Sequence, residues 1–426
     1  MDESVRRRLD SISRQILPPQ PQSVLQDLLH SNLLSVSSES VASPPVIIGG
    51  MVMDIHAKPS AALKPGTTTP GKVQYMRGGV ARNIAECMSV LGTKPFIISI
   101  VGLDMAGKVL LEHWESAGLS SEGIRKLEGI TTPVVSNIFD ADGEVAAAVA
   151  SVEAVETFLT PDWIRKFRYN ICSAPFLIVD ANLAPQTLEA ACQLAAESGV
   201  PVWFEPVSIL KSRRISSVVS YVTSVSPNVH ELISMANALS ENNPHLIPNV
   251  DFSERKHSIE SSFQMLKPAI SLLLEKGIKW VVVTLGSDGV LLCSKEGPGF
   301  LNHAVNTTVI SSLGETLGKI MRRNSTKNSF SSMKSRLASS NPYCLHFPAL
   351  PAMVASLTGA GDCLVGGTLA SVCAGLDIFQ SLAVGIAVAK IAVETETNVP
   401  SHCNVASITE DAKKILFAVK ELAFNR

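Results

Sequence analysis

The chain has 426 residues, 46% of them apolar and 17% charged, which allows a substantial buried core in one large domain or two modest ones and argues against a disordered chain. Its 36 Lys and Arg against 38 Asp and Glu leave a net charge of -2, so no global basic field marks a binder of nucleic acid or anionic membrane, and small neutral ligands or locally held anions are the expected partners. The eight cysteines form no C-x-x-C pair, no apolar run reaches the ~20 residues of a membrane span, and no apolar segment with a cleavage site follows the start; a soluble intracellular protein with reduced thiols is expected.

Residues 1–45 read as a polar arm ending in "SVSSESVASPP", with no core-forming pattern. A single domain over 46–426 is expected to follow. It opens on "VIIGGMVMD", residues 46–54, an apolar run fit for one buried strand with Asp54 at its end. Strand-like and helix-like stretches then alternate. "PFIISIVG" precedes "DMAGKVLLEHWESAG", "FLIVDAN" precedes "PQTLEAACQLAAESG", "VPVWFEPV" comes before a basic stretch, and "YVTSVSPN" leads into "VHELISMANALS". "KWVVVTLGSDGVLLCS" reads as two strands around a turn, and three helices are expected to begin near Gly361, Asp377 and Ser407. Apolar strands alternating with amphipathic helices imply a doubly wound α/β domain, a mostly parallel sheet with helices on both faces.

Two regions break this rhythm. Residues 55–77 and 131–150 carry short alternating stretches, with Asp142 and Gly143 as a hairpin turn, and predict a small antiparallel sheet projecting from the body. Residues 303–347 are rich in Ser, Lys and Arg and read as a flexible basic insertion.

"KPGTTTPGKV", residues 64–73, has the glycine and lysine spacing of a phosphate-gripping loop. Its neighbours are wrong for gripping phosphate, since Pro65 and Pro70 bracket it, Val73 stands where a hydroxyl should hold magnesium, and the β-like "VQYM" follows in place of a helix. A turn-rich segment of the small sheet is the better reading. "SLTGAGDCLVGG" is the stronger phosphate candidate, because Gly359 and Gly361 permit a tight turn into a small-residue helix whose first amides and dipole favour an anion. Asp362 then sits in the first turn of that helix, where an ordinary capping acid is the bland alternative.

A second set of motifs decides between these. "RGGVARNIAECMSVLG" with "TKPFIISIVG" resembles the N-terminal signature of the ribokinase-like, or PfkB, carbohydrate kinases, and "GAGD" resembles the C-terminal one. The resemblance implies a ribokinase-like fold in which the small sheet is a lid. It also implies a sugar or nucleoside bound by Asp54, Gly78, Gly79 and Asn83, with the helix from about Arg82 supplying further N–H groups. For the nucleotide it implies ATP with Mg2+, held by Asn228 and Glu231 of "SPNVHEL", by Thr284, Gly286 and Gly289 of "TLGSDG", and by Thr358, Gly359, Ala360 and Gly361, with Glu231 nearest the metal's water shell. Asp362 becomes the general base.

"VWFEPVSILKS" replaces the family's usual Asp-Pro-Asn with Glu205, Pro206, Val207 and Ser208, and resembles the branch that phosphorylates the C-nucleoside pseudouridine at its 5′ position. The base-reading residues are expected near Thr131 to Asn137, with Lys211 a further candidate. A kinase acting on ribose or another nucleoside, and a family-like binding or regulatory protein without catalysis, stay open as alternatives. Ser356 and Leu357 stand where the family writes Asp-Thr, which puts activation by potassium in question. The lid implies a homodimer, and "RLDSISRQI", residues 8–16, resembles a type 2 peroxisomal signal, with the cytosol as the alternative.

Overall fold

The structure is a computed structural model, and it describes residues 43–64, 66–140, 145–240, 258–296, 312–324 and 342–424. Residues 1–42 of the polar arm, the peroxisomal motif among them, and the Asp142–Gly143 turn lie outside the described residues.

The main body is built on ten strands: β1 (Val46–Ile48), β4 (Phe96–Gly102), β5 (Ile124–Leu127), β8 (Leu177–Asp180), β9 (Val202–Glu205), β10 (Ser224–Val225), β11 (Trp280–Thr284), β12 (Val290–Ser294), β13 (Tyr343–Phe347) and β14 (Lys420–Leu422). Their order across the sheet is β14-β13-β12-β11-β10-β9-β8-β1-β4-β5. Every pair from β11 to β5 is parallel, and the β12 to β14 edge is antiparallel.

Successive residues of a strand feed two cores, one on each face: Ile47, Ile97, Ile178 and Trp203 enter one, and Val46, Ile48, Ile98 and Val179 the other. This is why the strands read as unbroken apolar runs. The first face is covered by α1 (Val80–Val90), α2 (Met105–Ser116), α10 (Ser312–Asn324), α11 (Ala360–Cys373), α12 (Ile378–Val393) and α13 (Val405–Phe417). The second is covered by α3 (Glu153–Phe158), α4 (Pro161–Lys166), α5 (Arg168–Ser173), α6 (Pro185–Glu197), α8 (Val229–Leu239) and α9 (Ile259–Glu275), and the single turn α7 (Ile209–Ser212) is tied to α8 by the bond from Ser234 Oγ to the Ile209 carbonyl. Each fully buried Leu, Ile or Val contributes about 1.5–3 kcal/mol to holding the layers together.

The expected strand over 46–54 is two strands in two sheets. β1 ends at Ile48, and after Gly49–Met51 the chain enters β2 (Val52–Pro59) of the lid. The break has a partner 130 residues away: a Cβ on Gly49 would lie 2.1 Å from the Asp180 carboxylate, which accepts a 2.9 Å bond from the Gly50 amide. Asp54 is therefore a lid residue and not the end of a body strand.

The lid orders its strands β3-β2-β6-β7, with β3 (Gly71–Gly78), β6 (Val134–Phe139) and β7 (Val145–Ser151). Two antiparallel hairpins are joined by a parallel β2–β6 pair. Gly71, Lys72 and Val73 begin β3, so the phosphate-loop look-alike runs into a lid strand and not into a helix.

Of the expected insertion over 303–347, residues 303–311 and 325–341 lie outside the described residues, and two described parts are regular structure. Residues 312–324 form α10, which buries Leu317 and Met321, and Tyr343–Phe347 is the buried strand β13 between β12 and β14. Five mostly apolar residues at the end of a long polar run are enough to add a strand.

Candidate active site

The sheet reverses its winding at β1, from which the chain runs one way through β4 and β5 and the other way through β8 to β11. In open α/β sheets the crevice beyond the carboxyl ends of the strands at such a point gathers ligands. Here that edge carries Gly49 and Gly50 after β1, Asp180 ending β8, Glu205 ending β9, Asn228 after β10 and Thr284 ending β11.

Helix α1 enters the crevice from Gly79, whose φ of 96° only glycine adopts without strain and whose Cβ would lie 2.3 Å from the Gly50 carbonyl. It begins at Val80, earlier than Arg82, and its first amides are already engaged. Ala81 donates to Asp180 Oδ2 at 3.3 Å, Arg82 to the Gly50 carbonyl and Asn83 to the Gly79 carbonyl. Those amides serve to anchor the helix, which corrects the expectation that they face a ligand. Asp180 is fully buried, and burial raises its pKa against the pull of the amides it accepts from.

Helix α11 faces α1 at close range, because Gly366 leaves no side chain between them; a Cβ there would meet Cys87 Cβ at 2.7 Å. This approach joins the two ends of the chain: Asn83 Nδ2 donates to Asp362 Oδ2 at 2.6 Å. Asp362 is in the first turn of α11, where the Ala360 amide bonds the Leu357 carbonyl at 3.4 Å and the next two amides have no preceding helical carbonyl to bond. Burial pushes its pKa up to about 6, opposed by the Asn83 bond and the Arg82 charge and aided by Asp180 and Asp54.

Asp54 lies against Gly78, where a Cβ would sit 2.0 Å from its carboxylate, and accepts a 2.9 Å bond from Asn398 Nδ2. Desolvation raises it to about 6 as well. Asn398 also donates to the Arg77 carbonyl at 3.1 Å, and its own carbonyl abuts Gly359, whose φ of 84° opens α11. One asparagine thus ties the lid to the start of α11.

Asn228, Glu231, Thr284, Gly361 and Asp362 line one pocket of about 160 Å³, together with Glu205, Val207 and Ser226. Asn228 and Glu231 form a reciprocal capping box at the start of α8, each side chain accepting from the other's backbone amide at 2.9 Å. Burial raises Glu231. Gly286 and Gly289 form the turn after Thr284 and do not line the pocket; Gly289 packs on the Phe347 carbonyl. Thr358 precedes α11, its amide bonded to Ser356 Oγ at 3.3 Å, and Ala360 is the helix's first residue. Lys211 reaches Asn182 Oδ1 at 2.7 Å, and Thr132 is tied to Asp104, so neither side chain is free.

Three further residues shape the site: Glu205, which the sequence marks only as a departure from the family's Asp-Pro-Asn, and Arg82 and Asn398, which it does not single out. Arg82 is buried and bonds the Gly78 and Arg77 carbonyls, Asn83 Oδ1 and Glu86, so it rigidifies the glycine pair and orients Asn83. A lone charge in an apolar helix, four residues before an acid, was its available signal. Glu205 is held by Trp203 Nε1 at 2.6 Å and by Ser226 Oγ, and burial drives its pKa well up. The Val207 backbone beside it takes φ 67°, which costs strain for a β-branched residue. Asn398 carried no local signal at all.

The model of the pfkB family of carbohydrate kinases matches residues 45–314 and 334–401, spans that hold every site residue from Asp54 to Asn398. The chain belongs to that family. It is 52% identical over 382 residues to pseudouridine kinase of Arabidopsis thaliana, covering 90% of this chain and 99% of that one. Pseudouridine kinase of Escherichia coli is 25% identical over 269 residues, 63% of this chain and 79% of the relative. The family fold recurs in the solved structure of Arabidopsis thaliana ribokinase complexed with ribose and ATP, with a TM-score of 0.61 over 87% of this chain and 99% of that one at 18% identity. The protein is a kinase of the sugar and nucleoside class.

Proposed function

We propose that the protein transfers the γ-phosphoryl group of ATP to the 5′-hydroxyl of pseudouridine. The observation that carries the substrate is the 52% identity to the Arabidopsis pseudouridine kinase along nearly all of its length. The chemistry is supported by the Asn83–Asp362 contact, which sets an acid raised to about 6 at the mouth of an amide-lined helix start.

In this reading Asp54 accepts from ribose hydroxyls, and Gly78 and Gly79 let the sugar approach the backbone. Asn83 holds one oxygen of Asp362 and so aims the other at the substrate. Asp362 takes the proton from O5′ as that oxygen bonds to the γ-phosphorus, and the bond from phosphorus to the β–γ bridging oxygen breaks to release ADP. The amides after Thr358, through Gly359, Ala360 and Gly361, stabilise the charge that develops on the transferring group. Asn228, Thr284, Gly286 and Gly289 belong to the nucleotide side.

Magnesium fits this donor set. The ion favours one or two carboxylates plus substrate phosphates and keeps waters, and no dedicated cluster of three or more His, Cys, Asp and Glu occurs among the described residues. Glu231, lining the pocket, would hold its water shell, and the bound ion would neutralise phosphate charge. At the family's cation-holding position this chain has Ser356 and an exposed Leu357, which supports activity without potassium.

The homodimer is proposed through the lid's outer face. Residues of β2, β3, β6 and β7 on the side opposite Asp54 include Val73, Tyr75, Ile138 and Val149, all exposed, a concentration of apolar surface that a second lid would cover. A peroxisomal address in residues 8–16 is proposed on sequence alone.

Incubating the purified protein with Mg-ATP and pseudouridine, uridine, ribose or adenosine tests the substrate. Pseudouridine 5′-phosphate as the product formed with the highest kcat/KM supports the proposal; preference for ribose or adenosine replaces it with another kinase of the family, and absence of phosphoryl transfer to any of them favours a binding protein.

A further inference from the structure

His56 is 5% exposed, and its Nε2 atom has no hydrogen-bond partner among the described residues. Leaving a buried polar atom unpaired costs about 1–3 kcal/mol, so the position demands a reason. Its place in the lid supplies one. Side chains alternate along a strand, so Asp54 and His56 share a face of β2, about 7 Å apart. That face is turned to the cleft, because Asp54 on it is bonded to Asn398 of the body. β2 runs outward from the body, which puts His56 one side-chain step beyond the residue assigned to the ribose, where the base of a bound nucleoside would lie.

The neighbours of His56 suit a flat heterocycle with an amide edge. In register beside it stand Gln74 on β3 and Asn137 on β6, and the Phe139 ring meets the imidazole edge-on at 5.2 Å. Gln74 is already bonded to Glu396, whereas His56 Nε2 is not engaged. Burial and the nearby Lys58 charge lower the His56 pKa, which favours the neutral ring, in which one nitrogen is a donor and the other an acceptor.

Pseudouridine differs from uridine at one point that such an atom can read. With the sugar on carbon, both ring nitrogens keep their hydrogens, while in uridine the sugar replaces one of them. We infer that His56 Nε2 accepts a hydrogen bond from the ring N–H that a C-glycosidic pyrimidine keeps and an N-glycosidic one lacks, making His56 the residue that favours pseudouridine over uridine. The inference rests on the proposed substrate and adds to it a named discriminating atom. Uridine in the same place would leave Nε2 unpaired, the situation in which a hydrogen-bonding site rejects an analogue most strongly.

The test is steady-state kcat/KM for both nucleosides with full-length wild type, His56→Phe and His56→Gln. Phe preserves the contact with Phe139 and removes the acceptor; Gln restores an acceptor oxygen. The pseudouridine-to-uridine ratio should fall about 10- to 100-fold in His56→Phe and recover in part in His56→Gln. A ratio within about 3-fold of wild type in His56→Phe overturns the inference. If the variants fail to fold, 15N-histidine NMR of the wild type decides: pseudouridine should shift the His56 Nε2 resonance and uridine should not, and an equal response or none overturns it. A wild type that phosphorylates pseudouridine with the ratio unmoved by His56→Phe removes His56 alone, whereas a wild type inactive on pseudouridine removes the substrate proposal and this inference with it.

Discussion

Asn83 and Asp362 are separated by 279 residues in the chain and joined by a 2.6 Å hydrogen bond. The bond favours the ionised form of an acid that burial pushes the other way, so its loss should be visible in the pH dependence of the reaction. A general base must be unprotonated to act. With Asp362 and Asp54 both raised to about 6, kcat/KM should be level above neutrality and fall as pH drops through about 6. In Asn83→Ala the acid limb should move to higher pH, because the group that lowered the pKa is gone. A limb left in place would show that the bond does not tune the base.

The approach of α1 to α11 depends on Gly366. In Gly366→Ala the added methyl has Cys87 Cβ at 2.7 Å and the Ile84 carbonyl at 3.0 Å, so the helices must separate. Overpacking of this kind costs about 1–3 kcal/mol, and the separation should also slow turnover by loosening Asn83 from Asp362. Thermal melting and kcat measured on the same preparation check it; unchanged values of both would contradict the role given to this contact.

Lys72 pairs with Glu396 at 3.4 Å on the lid surface, both side chains being exposed. An ion pair this exposed is screened by solvent and contributes little to stability. Lys72→Ala should therefore leave the KM for ATP within about twofold and stability nearly unchanged. A large rise in the KM for ATP would revive the phosphate-loop reading of residues 64–73.

If a second lid covers Tyr75 and Val149, light scattering at micromolar protein should give twice the chain mass, and Tyr75→Glu with Val149→Glu should shift it toward monomer by placing charges in an apolar contact. A monomeric mass for the wild type would remove the dimer.

Much of this arrangement could be read along the chain, for physical reasons. Strands covered on both faces are continuously apolar, and helix starts carry their caps: Asp377 and Asn404 begin α12 and α13 near the expected points, and Gly359 and Asp362 mark α11. What could not be read depends on partners far away in sequence. The run 46–54 looks like one strand because hydrophobicity does not record that Asp180 occupies the space beside Gly49. Asn398 lies in a polar loop and acquires its bonding role only when Asp54 and Gly359 fold against it. Asn228 and Glu231 show the opposite ambiguity, since the same pair is both a helix cap and part of the pocket wall.

The most direct test of the central claim is the rate of phosphoryl transfer from Mg-ATP to pseudouridine in Asp362→Asn against wild type, with nucleoside affinity measured on the same samples. Asparagine keeps the shape and loses the proton acceptor. Turnover should fall by at least about 10²-fold with only a modest change in binding; turnover near the wild-type rate would contradict Asp362 as the base.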